Sequence, residues 1–140
     1  MKITLKNKEL LPSITLMQMM ELKSSDSRHR SKFIKLLSEA KEAYVEANND
    51  LLESLGVLAS DGSIKKEVEE DKSIVIYANK EIDILANEEI VIEGGMFVKN
   101  ITEIPRILHE FEGELSGQNA EIYDRLLDEF EKVDNLKGEK

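Results

Sequence analysis

The sequence predicts a mostly α-helical fold with a minor β component. Three observations carry that prediction. A helical apolar pattern runs unbroken for about thirty residues from Ser27 to Leu55. A second pattern of the same period occupies the C-terminal quarter. Only three short stretches, near residues 2–6, 73–77 and 90–93, have strand character. The expected architecture is a long helix packed against a C-terminal helix, with short strands beside them.

The chain has 140 residues, enough for one domain with its own core. Residues 1–135 are expected to form that domain, and 136–140 a frayed tail. Aromatic residues are only 5%, so the core must come from Leu, Ile, Val, Met and Ala. There is no cysteine, which removes disulfides, thiolate nucleophiles and Cys-type zinc sites. No apolar run reaches the length of a membrane span, and the first residues lack a signal-peptide core. A cytoplasmic location with no membrane partner is expected.

The net charge of −10 is unevenly distributed. Residues 1–40 carry eight Lys/Arg against four Asp/Glu, and the remaining hundred carry eleven against twenty-five. Phosphate backbones repel so acidic a chain, which disfavours direct nucleic-acid binding.

In chain order, Lys2-Ile3-Thr4-Leu5-Lys6 alternates polar and apolar and predicts a strand. Leu10 to Leu22 predicts a helix, with Pro12 in its first turn. Ile14, Met17 and Met20 face inward; Met17, Met19 and Met20 cannot all share one face, so some are exposed. Ser27 is the chosen cap of the long helix. Its seam, Phe33, Leu37, Ala40, Tyr44, Ala47 and Leu51, has a 3.5-residue repeat. Gly56 stops it.

Asp61-Gly62-Ser63 marks a turn, and the charge-dense Lys65–Lys72 reads as a loop. Ser73-Ile74-Val75-Ile76-Tyr77 is β-branched and reads as a strand. Asn79 then caps a short helix to Asn87. The competing reading makes Ile64–Asn87 one helix. Ile90-Val91-Ile92 predicts a strand ended by Gly94-Gly95. Thr102 caps a helix from Glu103 to Glu112, with Pro105 in its first turn. Ser116 caps the last helix, whose expected seam is Ala120, Tyr123, Leu127 and Phe130. The two matching seams predict packing within one chain or between two copies, so a homo-oligomer is one expectation.

Chemistry-bearing residues concentrate at the start of the long helix. Arg28, His29, Arg30 and Lys32 are the candidate ligand- or partner-binding residues. Guanidinium forks beside backbone N–H groups suit a phosphate or a partner carboxylate. The plainer reading pairs Arg28 and Arg30 with carboxylates of this chain, Glu121 or Asp124, and is favoured by the supply of acids. His29 and His109 are far apart in sequence and in no HxxxH spacing, so no metal site is expected; His109 reads as half-buried. No phosphate-binding glycine loop or nucleophile motif is present. Carboxylate pairs such as Glu88–Glu89 sit in solvated runs. No catalytic residue and no cofactor are expected.

Two stretches and their order carry a resemblance. Ser27-Arg28-His29-Arg30 is followed by Phe33 and Leu36-Leu37. Gly113-Glu114-Leu115-Ser116-Gly117 is followed by Ala120-Glu121-Ile122-Tyr123-Asp124 and Phe130-Glu131, and Val91-Ile92-Glu93-Gly94-Gly95 lies between. Over Ile3 to about Phe130 the chain resembles a family of small proteins of unknown function from tailed phages and prophages of Gram-positive bacteria. The resemblance implies a setting, with a phage or host protein as partner, and no catalytic residues. The functional expectation is a non-enzymatic phage accessory protein acting through protein–protein contact. The alternatives are an acidic nucleic-acid mimic and a binder of small phosphorylated ligands.

Overall fold

The first helical element, Leu10–Met19 (α1), lies between the two longest ones, Ser24–Ser54 (α2) and Gly117–Gly138 (α7). The computed structural model describes residues 1–138, with side chains to residue 133. The other elements are Lys2–Lys6 (β1), Lys66–Glu70 (α3), Lys72–Asn87 (α4), Glu89–Glu93 (β2), Val98–Ile101 (α5) and Ile104–Glu110 (α6). Single 3₁₀ turns occupy Asn7–Glu9 and Gly95–Phe97. The fold is therefore helical with one small sheet, as the sequence predicts. The expected tail at 136–140 falls at and beyond the end of the described residues.

β1 and β2 pair antiparallel, with Thr4 opposite Val91. Side chains alternate across a strand. Ile3, Leu5 and Ile92 are accordingly buried while Lys2, Val91 and Glu93 are exposed.

The main core joins this sheet to α1, α2, α6 and α7 through Leu10, Leu16, Met17, Phe33, Leu37, Ile104, Leu108, Leu126 and Phe130. α2 meets α7 through Phe33 and Phe130, whose rings are edge-to-face at 5.9 Å. The long helix is thus joined to the C-terminal helix at one aromatic contact, with α1 against both. Each seam differs in part from expectation. Along α2, Phe33 and Leu37 are buried and Ala40 and Tyr44 pack on the core, but Ala47 is exposed. Beyond Tyr44 cover returns at the far end, where Leu52 and Leu55 pack against α3 and α4. In α7 the buried stripe is Ile122, Leu126 and Phe130, while Tyr123 and Leu127 are its half-buried flank.

A second, smaller cluster of Val57, Val68 and Ala78 closes the far end of α2 against α3 and α4. Gly56, at φ +67°, turns the chain out of α2 in a conformation that suits glycine. Asp61 then accepts the Ser63 N–H at 3.0 Å, making the expected turn.

Residues 65–77 overturn three expectations. Lys66–Glu70 is helical where a loop was expected. Residues 73–77 are the start of α4, where a strand was expected. Asn79 is inside α4 and caps nothing. The physical reason is Asp71. Its carboxylate accepts the N–H of Ser73 and Ile74, satisfying two of the free donors of a helix start. With that cap in place, Val75, Ala78, Ile82 and Leu85 fall on one helix face. The local preference of Ile74-Val75-Ile76 is small beside these terms.

Helix boundaries shift elsewhere. α1 ends at Met19, before the expected Leu22, because Met20 is extended. α2 starts at Ser24, with Lys23 and not Ser27 at the N-cap position. The helix expected over 103–112 is α6, with Pro105 in its first turn and Glu103 as cap, preceded by the separate turn of α5.

Candidate functional site

The basic start of α2 is built differently from its reading in the sequence. Because the helix begins at Ser24, Asp26 occupies the first turn and Arg28 the second. An acidic residue there complements the helix dipole, and the expected conflict of Arg28 with that dipole is largely relieved.

The four candidate residues separate. Arg30 donates to the carbonyls of Met20 and Met17 and to the Ser27 hydroxyl. It thereby satisfies carbonyls at the end of α1. The expected pairing of Arg30 with Glu121 or Asp124 is not what forms: its partners are carbonyls and a hydroxyl. His29 Nδ1 lies 3.2 Å from the Asn100 amide of α5. Lys32 stands over the Phe97 ring at 5.1 Å, beside Lys35 at 5.3 Å. Arg28 is exposed, with no ion pair among the described residues. His29 and Lys32 thus both lie against the 97–100 segment, while Arg30 turns back to the end of α1. His109 is exposed, not half-buried. Among the described residues no group of three or more His, Asp or Glu is placed to hold a metal ion.

The charge networks that do form centre on two other arginines. Arg106 of α6 binds Asp26 at 2.7 Å, Glu103 at 2.8 Å and Glu110 at 2.8 Å. Its hydrogen bond holds the Asp26 carboxyl below the usual carboxylate range. This pair lines a cleft of about 900 Å³ with Met19, Glu21, Phe111 and Glu114. Arg125 of α7 binds Glu129 at 2.6 Å and Glu9 at 3.0 Å, and its third donor reaches the Thr4 carbonyl at 3.1 Å. Glu129 accepts the Thr4 N–H and Lys132 as well. Asp26 in a helix first turn was the sequence signal for the first network. In the second, the i,i+4 spacing of Arg125 and Glu129 is a local signal, but the bonds to Glu9 and Thr4 span 116 to 125 residues and have none.

A surface is the other product of the fold. Among the described residues, eight of eleven exposed large apolar side chains fall between Ile64 and Val98. Ile76 is 67% exposed, Tyr77 56% and Ile84 55% on α4, and Met96 is 89% exposed beyond β2. Ile74 and Tyr77 line a groove of about 280 Å³ with Leu55, Val57 and Ala78. Assigning 73–77 to a strand hid this surface, since alternation would bury every second residue.

Such a molecule is a small helical protein whose distinctive chemistry is an apolar surface and interlocking ion pairs. It belongs to the family described as Protein of unknown function (DUF1617), whose model matches residues 1–139. No curated protein and no solved structure matches the chain. No helix of the described residues is long and apolar enough to cross a membrane.

Proposed function

We propose that this is a phage accessory protein that acts in the host cytoplasm by protein–protein contact and not by catalysis. Its partner is a phage or host protein, in virion assembly or in inhibition of a host activity. The observation that carries this reading is the apolar surface between Ile64 and Val98. Exposed apolar side chains concentrated in one part of a chain, four of them (Ile74, Ile76, Tyr77 and Ile84) on α4, suit a contact site. The polar groups at the start of α2 are largely committed to the fold, which leaves the apolar residues as the better recognition feature. The test is affinity capture with the full chain from infected and uninfected host cells. Retention of one specific protein supports the reading, and retention of none beyond a control resin contradicts it.

A second reading has its own supporting observation. Glu121, Asp124, Asp128 and Glu131 are all exposed and recur at three-, four- and three-residue spacing along α7. That places four charges on one face, about 5 Å apart along the axis at 1.5 Å per residue. Such a stripe suits a mimic of the nucleic-acid backbone directed at a basic host protein. Capture that persists unchanged from low to high salt would contradict this reading while leaving the first intact.

A further inference from the structure

The two edges of the β1–β2 sheet are finished in different ways. The ladder can be followed from both ends. Asn7 N–H donates to the Glu88 carbonyl at 3.0 Å, and Gly94 N–H to the Met1 carbonyl at 3.4 Å. Hydrogen-bonded pairs alternate in an antiparallel ladder. With the observed register, Ile3–Ile92 and Leu5–Ile90 are therefore the bonded pairs. Thr4 and Lys6 on β1, and Glu89, Val91 and Glu93 on β2, turn their N–H and C=O groups away from the partner strand.

On the β1 side three of the four groups of Thr4 and Lys6 are taken. Thr4 N–H bonds Glu129, the Thr4 carbonyl bonds Arg125, and Lys6 N–H bonds Glu9 at 2.8 Å. On the β2 side no hydrogen bond among the described residues reaches the backbone of Glu89, Val91 or Glu93. Val91 is 55% exposed there, and Glu89 and Glu93 are exposed on either side of it. A row of unpaired outward backbone groups of this kind is a template for another strand.

We propose that the outer edge of β2 takes up, by antiparallel addition, an extended segment of a partner protein with basic side chains two residues either side of an apolar one. This rests on the protein-contact reading above and names its mode of recognition. Charge complementarity selects the occupant. Residues 89, 91 and 93 project on the solvent face, so a strand centred on Val91 sets its own alternate side chains against Glu89, Val91 and Glu93. β1 already shows the matching pattern on the inner side, with Lys2 opposite Glu93 and Lys6 opposite Glu89. A second copy of this chain is a poor occupant. Pairing β2 with another β2 about Val91 sets Glu89 against Glu93 twice, and like charges directly opposite repel. The β1 edge of a second copy is already filled by Arg125, Glu129 and Glu9.

The test titrates the isotope-labelled full chain with the peptide acetyl-Thr-Lys-Thr-Val-Thr-Lys-Thr-amide, and with its counterpart carrying Glu for Lys, followed by amide NMR. The expected result is shift changes and slowed exchange at Glu89, Val91 and Glu93, with the lysine peptide about fivefold tighter. The isosteric variant Glu89→Gln/Glu93→Gln should remove that preference while leaving the fold intact. Equal affinity for the two peptides, changes confined to other residues, or no change at millimolar peptide would overturn the proposal. So would a concentration-dependent dimer that protects these same amides. Capture from host cells separates the two levels. If wild type and Val91→Pro retain the same protein equally, the edge proposal fails and the contact reading stands. If wild type retains nothing, the contact reading fails, and the peptide titration still decides whether the edge binds strands.

Discussion

Glu129 accepts the backbone N–H of Thr4 at 3.3 Å, and through that bond α7 closes the outer edge of β1. Burial pushes the Glu129 carboxyl up. Hydrogen bonds from Arg125, Lys132 and Thr4 outweigh it, and the net shift is below the ordinary value of 4.5. A carboxyl lowered in the folded state stabilises fully above its unfolded pKa, and that contribution is lost as pH falls through the folded value. Glu129→Gln should therefore flatten the loss of stability below about pH 4.5 relative to wild type. Glu129→Ala should cost about 2–3 kcal/mol at neutral pH, read by denaturant melts. An unchanged acid limb in the Gln variant would remove Glu129 from the account.

Arg30 and Arg28 lie two residues apart and should behave oppositely. Arg30→Ala removes the donors that satisfy the Met17 and Met20 carbonyls. It should lower the melting temperature and speed amide exchange around the end of α1. Arg28→Ala should leave stability within about 0.5 kcal/mol of wild type, as exposed substitutions usually do. Equal destabilisation by both would show that Arg28 has an internal partner.

The Phe33–Phe130 contact links α2 directly to α7, and both rings are fully buried. Phe33→Ala or Phe130→Ala should each cost about 3–5 kcal/mol by denaturant titration. Because the two rings touch, the double variant should cost less than the sum of the single ones. Strict additivity would mean that the rings are not coupled.

Gly94 is buried where β2 gives way to the next turn, and an added Cβ would lie 2.7 Å from the Val98 Cα. Since the neighbour is backbone, the strand or α5 must move. Gly94→Ala should cost about 1–3 kcal/mol, the range for overpacking. Gly62→Ala provides the contrast: no neighbour lies within 4 Å, and its penalty comes only from φ +87°. NMR shifts of β2 amides in the Gly94 variant but not in the Gly62 variant would confirm the distinction.

Ile76 and Tyr77 are exposed and contribute little to the core. Ile76→Glu and Tyr77→Ser should leave the melting temperature nearly unchanged. Both should reduce partner capture, and any self-association seen by light scattering. A large fall in stability would place these side chains in packing and remove the apolar surface as a recognition feature.

Much of this fold is legible in the sequence because the signals are local. The alternation of residues 2–6, the glycine that ends the long helix, Pro105 in a first turn and the Asp61-Gly62-Ser63 turn each act over a few residues. Failures occur where a local preference competes with a non-local or capping term. The β-branched run at 74–76 yields to the Asp71 cap and to packing on Val57 and Val68. The α2 seam looks continuous through Leu51, yet it is open at Ala47, because cover depends on where α1 and α7 lie at one end and α3 and α4 at the other. The basic cluster at 28–32 was visible, but its division was not. Arg30 turns to carbonyls of an element ten residues upstream, a choice that side-chain type alone does not encode.

The proposed mode of action is binding of another protein through residues 64–98. The most direct measurement is quantitative capture from infected host cells with three forms of the full chain: wild type, Ile76→Glu/Tyr77→Ser and Arg28→Ala. The account predicts one protein retained by wild type and Arg28→Ala and severalfold depleted on the α4 variant, with all three equally folded. Equal retention by all three, or loss confined to Arg28→Ala, would contradict it.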